Sequence, residues 1–135
     1  MKKFVWCLCL VLGFVLMGCS VGRVEHIRVR ELDYTVVSDR DIPMRLKEAI
    51  EEHKEEPFQI VFESDGYLFL ARGYGAKDMG GYSITVKDLY LGKNSIYIQT
   101  ELYGPETEAE MKQGTSYPYV VVKLEGREEP VQFLS

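Results

Sequence analysis

Side chains that could carry out chemistry are few in this sequence. The two histidines are His26 and His53, and neither has a second histidine four residues away, the spacing at which one helix face can hold a metal ion. The adjacent glutamates Glu51-Glu52 and Glu55-Glu56 point apart on a helix, which is typical of a solvated face rather than an acid–base pair. No serine lies in a Gly-x-Ser-x-Gly elbow. We therefore expect a protein that is not an enzyme, with no metal site and no cofactor.

The N-terminus indicates export. Lys2 and Lys3 precede an uncharged apolar run from Phe4 to Met17, which is 14 residues long. That is shorter than the roughly 20 residues that span a bilayer as a helix, and it fits the core of a signal peptide. An uncut membrane anchor is the alternative. Both interpretations place the folded domain outside the cytoplasmic membrane.

The cysteine that follows this run is the predicted modification site. Leu16-Met17-Gly18-Cys19 resembles a bacterial lipobox, with a small residue just before the cysteine. That resemblance implies a signal peptide over residues 1–18 and a lipid on Cys19, which would anchor the protein to the membrane. Cys7 and Cys9 would be removed with the signal peptide, so no disulfide could form in the remaining chain.

Length and charge restrict the function further. The chain has 135 residues, which is enough for one compact domain, predicted over residues 31–135 after a tether over residues 19–30. The net charge is −5; without Lys2 and Lys3 it becomes −7, from 14 basic and 21 acidic residues. Basic residues are scattered among acidic ones, whereas a nucleic-acid binder clusters them, so we expect no nucleic acid.

Hydrophobic patterning predicts a mostly β domain of the α+β class, a small antiparallel sheet or sandwich with one amphipathic helix near its start. Glu31 to Val37 reads as a first strand. Asp41 and Pro43 are helix-start signals. From Met44 to about Lys54, one face of the predicted helix carries Leu46, Ala49, Ile50 and, partly buried near the helix end, His53.

The remaining segments alternate as strands do. An Asp65-Gly66 pair predicts a tight hairpin. The arm that follows, Tyr67 to Ala71, is apolar on both faces, which is typical of a central strand covered on both sides. A second hairpin is predicted about Gly92-Lys93-Asn94, in which Tyr82 shares the phase of Ile84 and Val86. Two further strands are predicted over 117–124 and 131–134, separated by a polar turn over 126–130.

One segment has an unusual glycine density. Four glycines fall between Gly73 and Gly81, and their spacing matches neither the dinucleotide nor the phosphate-loop pattern, so we expect no nucleotide. Such a segment can leave backbone amides open to a partner. An equally weighted alternative is a tight turn in which Tyr82 packs in the core. The predicted partner-binding residues are Tyr74, Lys77, Asp78, Met79, Gly80, Gly81 and Tyr82.

This segment carries a family resemblance. Lys77, Gly80-Gly81-Tyr82-Ser83 and the later run from Thr115 to Lys123 are similar to the C-terminal domain of the PrcB family, over about residues 68–124. The family pattern has a Lys-Pro-Thr-Gly-Gly-Tyr loop and then a Thr-x-Pro-Tyr-x-Val-Val strand. This chain departs from it at Asp78-Met79 and with an inserted Tyr117. The resemblance implies a lipoprotein subunit that stabilises or anchors an extracellular serine protease.

Two other functions stay open. The glycine segment also resembles the Asn-Pro-Thr-Thr-Gly-Tyr loop of chagasin-like cysteine-protease inhibitors, which implies inhibition. An exposed row of tyrosines would instead support a carbohydrate-binding surface. The tyrosines concerned are Tyr67, Tyr74, Tyr82, Tyr90, Tyr97, Tyr103 and Tyr119, of which Tyr97 and Tyr103 are expected to face outward or into a second layer.

Overall fold

The computed structural model describes residues 28–134. The predicted signal peptide, Cys19 and most of the predicted tether therefore lie outside the described residues. In chain order the elements are β1 (Arg28–Glu31), β2 (Thr35–Val36), a short 3-10 helix (Asp39–Asp41), α1 (Met44–His53), β3 (Pro57–Ser64), β4 (Tyr67–Tyr74), β5 (Lys77–Gly80), β6 (Ser83–Gly92), β7 (Ile96–Tyr103), β8 (Lys112–Ser116), β9 (Tyr119–Glu125) and β10 (Val131–Leu134).

The strands form two four-stranded sheets and a separate two-stranded ribbon. The first sheet, called the β6 sheet, has the order β1-β6-β7-β10, and the second, called the β4 sheet, has the order β2-β9-β4-β3. The ribbon consists of β5 and β8. All pairs are antiparallel except β10, which runs parallel to β7. The predicted class is confirmed: the described chain is mostly strands, with one α-helix.

Strand β4 lies between two apolar cores. Leu68 and Leu70 belong to the core between the two sheets, called the sandwich core. Phe69 and Ala71 belong to a second core beneath α1, called the helix core. All four side chains are at most 5% exposed. Successive strand residues point to opposite faces, so an uninterrupted apolar run fits a strand that is covered on both sides. The prediction of a central strand is confirmed.

The two cores divide the buried side chains by strand face. The sandwich core takes the even-numbered residues of β9 and the inward face of β7. The helix core takes Phe58 of β3 and Val121 of β9. The other members are Leu32, Leu89, Ile96 and Ile98 in the sandwich core, and Ile42, Leu46 and Ile50 in the helix core.

The β3–β4 hairpin has the predicted turn. Asp65 and Gly66 have φ values of 51° and 83°. Ser64 pairs with Tyr67 directly across them. Positive φ at both central residues is what a two-residue hairpin with the right-handed twist of its strands requires. The Asp-Gly prediction is confirmed.

Helix α1 covers the β4 sheet with Leu46 and Ile50, both of which are completely buried. Pro43 occupies the N-cap position rather than the first turn. Asp41 ends the preceding 3-10 helix and accepts a hydrogen bond from Ser38 at 2.9 Å. The expectation that His53 is partly buried is wrong, because His53 is the last residue of the helix and is exposed.

The segment 31–37, predicted as one strand, contains the end of β1 and all of β2, and these two strands belong to different sheets. Leu32 donates its N–H to Leu89 O in the β6 sheet at 3.2 Å, and Val37 donates to Val121 O in the β4 sheet at 2.8 Å. The buried Leu32 side chain lies in the sandwich core at this crossing between sheets. Strand β1 begins at Arg28, within the range 19–30 of the predicted tether.

The β6–β7 hairpin is present and contains a bulge. The pairing register shifts between Val86 and Asp88. An extra residue in one strand reverses the phase of its side chains. As a result Ile84 and Val86 pack on the sandwich core before the bulge, and Leu89 does so after it.

The later strands differ from the prediction in one boundary and one additional strand. Strand β9 begins at Tyr119 rather than Tyr117, because Pro118 has no N–H to give to a ladder. The closing strand β10 and the irregular segment before it are as predicted. Strand β8 has no counterpart in the sequence-based expectation. Its five residues include Lys112, Gln113 and Gly114 and show no apolar alternation.

The helix core should govern the stability of the domain. Replacing Leu46 with Ala removes a completely buried side chain, and we expect the free energy of unfolding to fall by about 2–5 kcal/mol in urea titrations. Met44→Ala on the same helix is the control, since Met44 is 75% exposed and its loss should cost less than about 0.5 kcal/mol. A similar loss for both variants would contradict this assignment.

Candidate functional site

The glycine-rich segment forms the ribbon. It includes the end of β4, all of β5 and the start of β6. Lys77 pairs with Ser116, Met79 with Gln113 and Gly80 with Lys112, and the register shifts between Lys77 and Met79. The segment is therefore a paired strand with a bulge at Asp78, and its partner strand is the one that sequence patterning missed.

Gly81 has a structural reason to be glycine. Its φ is +95°, and a Cβ built on it would lie 2.1 Å from the backbone oxygen of Glu110. Gly80 is buried, and a Cβ there would meet Lys112 Cβ at 3.0 Å. In the described structure these glycines bring the backbone close to the chain's own β8 and the segment before it.

Tyr74 links the two sheets. Its hydroxyl is hydrogen-bonded to Thr100 Oγ1 of β7, and the guanidinium of Arg72 lies 4.5 Å from the ring centre. Its backbone N–H donates to Pro118 O at 3.0 Å. These contacts leave Tyr74 half-buried, so its interactions within the domain explain the residue without a partner.

The exposed part of the ribbon comprises its bulge at Asp78 and most of β8, from Lys112 to Thr115. Asp78 is exposed, and Lys77 and Met79 are half-buried. Met79 O accepts a hydrogen bond from Ser116 Oγ at 2.6 Å. Met111, immediately before β8, is 47% exposed. Sequence analysis did not identify Met111, because it lies in a polar stretch with no hydrophobic period.

Tyr82 lies at the join between ribbon and sandwich. It precedes β6, is half-buried, and has its ring 3.5 Å from the position that a Cβ would take at Gly104. It belongs to neither apolar core cluster. Among the predicted site residues Gly80 is buried, Asp78 and Gly81 are exposed, and the others (Tyr74, Lys77, Met79 and Tyr82) are half-buried. Lys77, Asp78 and Met79, the first three residues of β5, are called the outer group.

The run from Ser116 to Tyr119, which leads from ribbon strand β8 into β9, is fixed by contacts at each residue. Besides the bonds of Ser116 and Pro118, the Lys54 ammonium lies 4.6 Å from the centre of the Tyr117 ring. Tyr119 donates its hydroxyl to Asp39 Oδ1 at 2.7 Å. Burial and this hydrogen bond raise the pKa of Tyr119 well above its ordinary value, so the hydroxyl stays protonated as a donor at neutral pH.

Acidic residues dominate the segment before β8. Glu106, Glu108 and Glu110 lie between β7 and β8, and Glu110 Oε2 accepts the Glu106 N–H at 3.0 Å. The basic residues Lys77 and Lys112 lie on the two ribbon strands. The ribbon end thus combines charged residues of both signs with the two methionines, and methionine is a residue type enriched in protein interfaces.

Clefts occur at the other end of the sandwich. One of about 380 Å³ lies beside the Asp65-Gly66 turn and is lined by Arg127 and Glu128 among others. The Arg127 guanidinium already binds the Glu129 carboxylate through two hydrogen bonds, of 2.9 and 3.1 Å. No predicted site residue lines this cleft, and among residues 28–134 no group of three His, Cys, Asp or Glu side chains could hold a metal ion.

The tyrosines do not form a row. Of the seven considered, Tyr67 (42%) and Tyr103 (38%) are exposed, and they lie in different sheets. Tyr90 and Tyr97 stack on each other with ring centres 5.2 Å apart. The flat row of exposed rings that a carbohydrate surface would use is not present in the described part of the chain.

Comparison with protein families finds a match over the part of the chain that contains the ribbon. Residues 68–125 match the family model of the PrcB C-terminal domain. The resemblance read from the residues is thus confirmed. The match begins in β4 and ends with β9, so the PrcB region contains the ribbon and the β6–β7 hairpin but neither α1 nor β3.

The other comparisons returned nothing. Neither the search of curated proteins nor that of solved structures found a significant match. No helix within residues 28–134 is long and apolar enough to cross a membrane.

The close approach of Glu110 O to Gly81 should make the domain sensitive to a side chain at position 81. Gly81→Ala would place a methyl group into Glu110 O, whereas Gly114 has a similar φ of +99° with open space around its Cβ position. Both alanines bear the cost of positive φ, about 1–2 kcal/mol, and only Gly81→Ala adds the clash. We expect Gly81→Ala to lower the melting temperature clearly more than Gly114→Ala in thermal scans. Equal decreases in melting temperature for the two variants would show that the ribbon backbone can move away from the added methyl group without losing stability.

Proposed function

We propose that this protein is an exported, lipid-anchored and non-catalytic subunit whose ribbon binds a protein partner outside the cytoplasmic membrane, with an extracellular protease as the first candidate. The family match supports an association with a protease complex at the level of the family name. Anchoring through Cys19 is supported by the lipobox and the short apolar run before it.

The observation that carries the proposal is the placement of the ribbon relative to the N-terminus. Arg28, where β1 begins, pairs with Gly92 at one end of β6. The ribbon adjoins Ser83 at the other end. Strand β6 has 10 residues, which at roughly 3.3 Å each separates the two ends by about 30 Å. The described chain therefore begins at one end of β6, and the ribbon adjoins the other end.

The tether length is consistent with this arrangement. Nine residues from Cys19 to Arg28 reach at most roughly 30 Å when fully extended. The domain would stay close to the membrane, with the ribbon facing partners in the surrounding space. Each ribbon strand pairs only with the other among the described residues, so each keeps a free edge.

The outer group of ribbon residues would supply the contact. Methionine side chains adapt to irregular apolar surfaces, and Met79 and Met111 lie on either side of the ribbon with the exposed Asp78 beside them. A stabilising subunit is better supported than a chagasin-like inhibitor. An inhibitor needs a loop that enters a cleft, whereas Lys77–Gly80 is a strand paired with β8.

Binding can be tested with matched methionine variants. Cell-envelope and medium proteins that copurify with the chain are identified by mass spectrometry, and their affinity is measured for Met79→Ser/Met111→Ser and for Met44→Ser. We expect the double variant to bind at least tenfold more weakly, about 1.4 kcal/mol, and Met44→Ser, on the remote helix α1, to bind like the original chain. Melting temperatures should stay close together in all three.

The same samples distinguish the candidate functions. A recovered protease is assayed with and without the chain: longer-lived activity supports a stabilising subunit, and lower activity supports an inhibitor. Equal binding by the double variant and Met44→Ser would contradict a role for the ribbon.

Lipid anchoring has its own test. Cys19→Ala in the full chain should abolish incorporation of labelled fatty acid and leave the uncleaved precursor, since the thiol would be the acceptor. Cys9→Ala is the control, because Cys9 lies within the predicted signal peptide. Lipid incorporation into the Cys19→Ala variant would contradict the anchor.

A further inference from the structure

Strand β3 presents an unusually open edge. It is eight residues long and, among residues 28–134, pairs only with β4. It contains no lysine, no bulge and no proline after its first residue. These are the features with which natural edge strands prevent pairing with another chain. Val61, in the middle of the edge, is 48% exposed.

The register shows which backbone groups face outward. Gly126 donates to Gly66 O and Tyr74 donates to Pro118 O, so the even-numbered positions at both ends of β4 bond toward β9. The odd-numbered residues of β4 therefore bond toward β3, where their partners are even-numbered, from Phe58 to Ser64. The N–H and C=O groups of Gln59, Val61 and Glu63 thus point to the free edge.

We propose that this edge pairs with a second copy of the same strand, antiparallel and in a register centred on Val61. About a two-fold axis, Val61 lies opposite Val61 of the other copy and Gln59 opposite Glu63. All three are outward-facing positions, so about six backbone hydrogen bonds form. The two β4 sheets then join into one sheet of eight strands.

The side chains are self-complementary in this register, and two neighbouring registers are less favourable. Ile60 lies opposite Phe62, an apolar pair on the face that bears α1, and each Glu63 meets an uncharged glutamine. Moving the centre to Ile60 places Pro57, which has no N–H, opposite Glu63. Moving it to Glu63 places the two Glu63 carboxylates opposite each other. Both alternatives lose hydrogen bonds or gain repulsion.

Charge opposes the association and predicts how it responds to salt. Without Lys2 and Lys3 each copy has a net charge of −7, from 14 basic and 21 acidic residues, so two copies repel each other at long range. Salt screens this repulsion and leaves the strand pairing intact. The dimer should therefore become more stable as ionic strength rises, which is opposite to the behaviour of an interface held together by ion pairs.

The register is tested by cysteine cross-linking in the full chain. Residues 28–134 contain no cysteine, and opposed residues of a hydrogen-bonded pair have Cα atoms about 5.5 Å apart, within disulfide range. Two differently tagged copies, one with Gln59→Cys and one with Glu63→Cys, are co-expressed and oxidised in isolated membranes. We expect the mixed disulfide to exceed either symmetric one by at least fivefold. Symmetric Glu63→Cys dimers as the main product would overturn the register.

The association itself is tested by sedimentation of the chain from Ser20 onward, which retains both apolar cores. Val61→Glu places two carboxylates opposite each other at the axis and should weaken dimerisation at least tenfold. Val36→Glu is the matched control, since it adds the same charge at a valine that is 58% exposed on the opposite edge of the same sheet. A monomer at every concentration and ionic strength, or equal effects of the two variants, would overturn the proposal.

Discussion

The structure depends on one strand that must be apolar on both faces. Strand β4 gives Leu68 and Leu70 to the sandwich core and Phe69 and Ala71 to the helix core, so neither layer can form without it. Its position between β9 and β3 follows from this double burial, since an edge position would leave part of its backbone unpaired in an apolar environment. Helix α1 buries one apolar face of β4, and the β6 sheet buries the other.

The same strand also leads into the ribbon. At its end Tyr74 binds Thr100 in the opposite sheet, and Gly75, with φ +80°, turns the chain toward β5. The segments that connect the ribbon to the sandwich are fixed by backbone hydrogen bonds: Ala76, just before β5, donates to Glu55 O, and Pro118 O, just after β8, accepts from Tyr74. An element attached in this way is positioned by the domain yet leaves its outer surface free for a partner.

The glycines show why a motif and its role can differ. Gly81 was interpreted as a residue that lets a partner approach the backbone, and the approach in the structure is that of Glu110 O. Glycine density identifies a place where two backbones come close, and it does not say which two. Met79 and Met111, the side chains proposed to contact a partner, are not marked by any comparable local pattern in the sequence.

The sequence by itself determined the elements whose physics is local. The Asp65-Gly66 turn, the doubly apolar β4 and the buried face of α1 all follow from backbone preferences and hydrophobic period, and the PrcB resemblance follows from the residue pattern alone. Only the tertiary structure decided that residues 31–37 divide between two sheets, that β8 is a strand, and that the helix ends with His53 exposed. In each of these cases the outcome depends on contacts between segments distant in the chain: β8 is a strand because β5 lies beside it, and its own residues show no strand period.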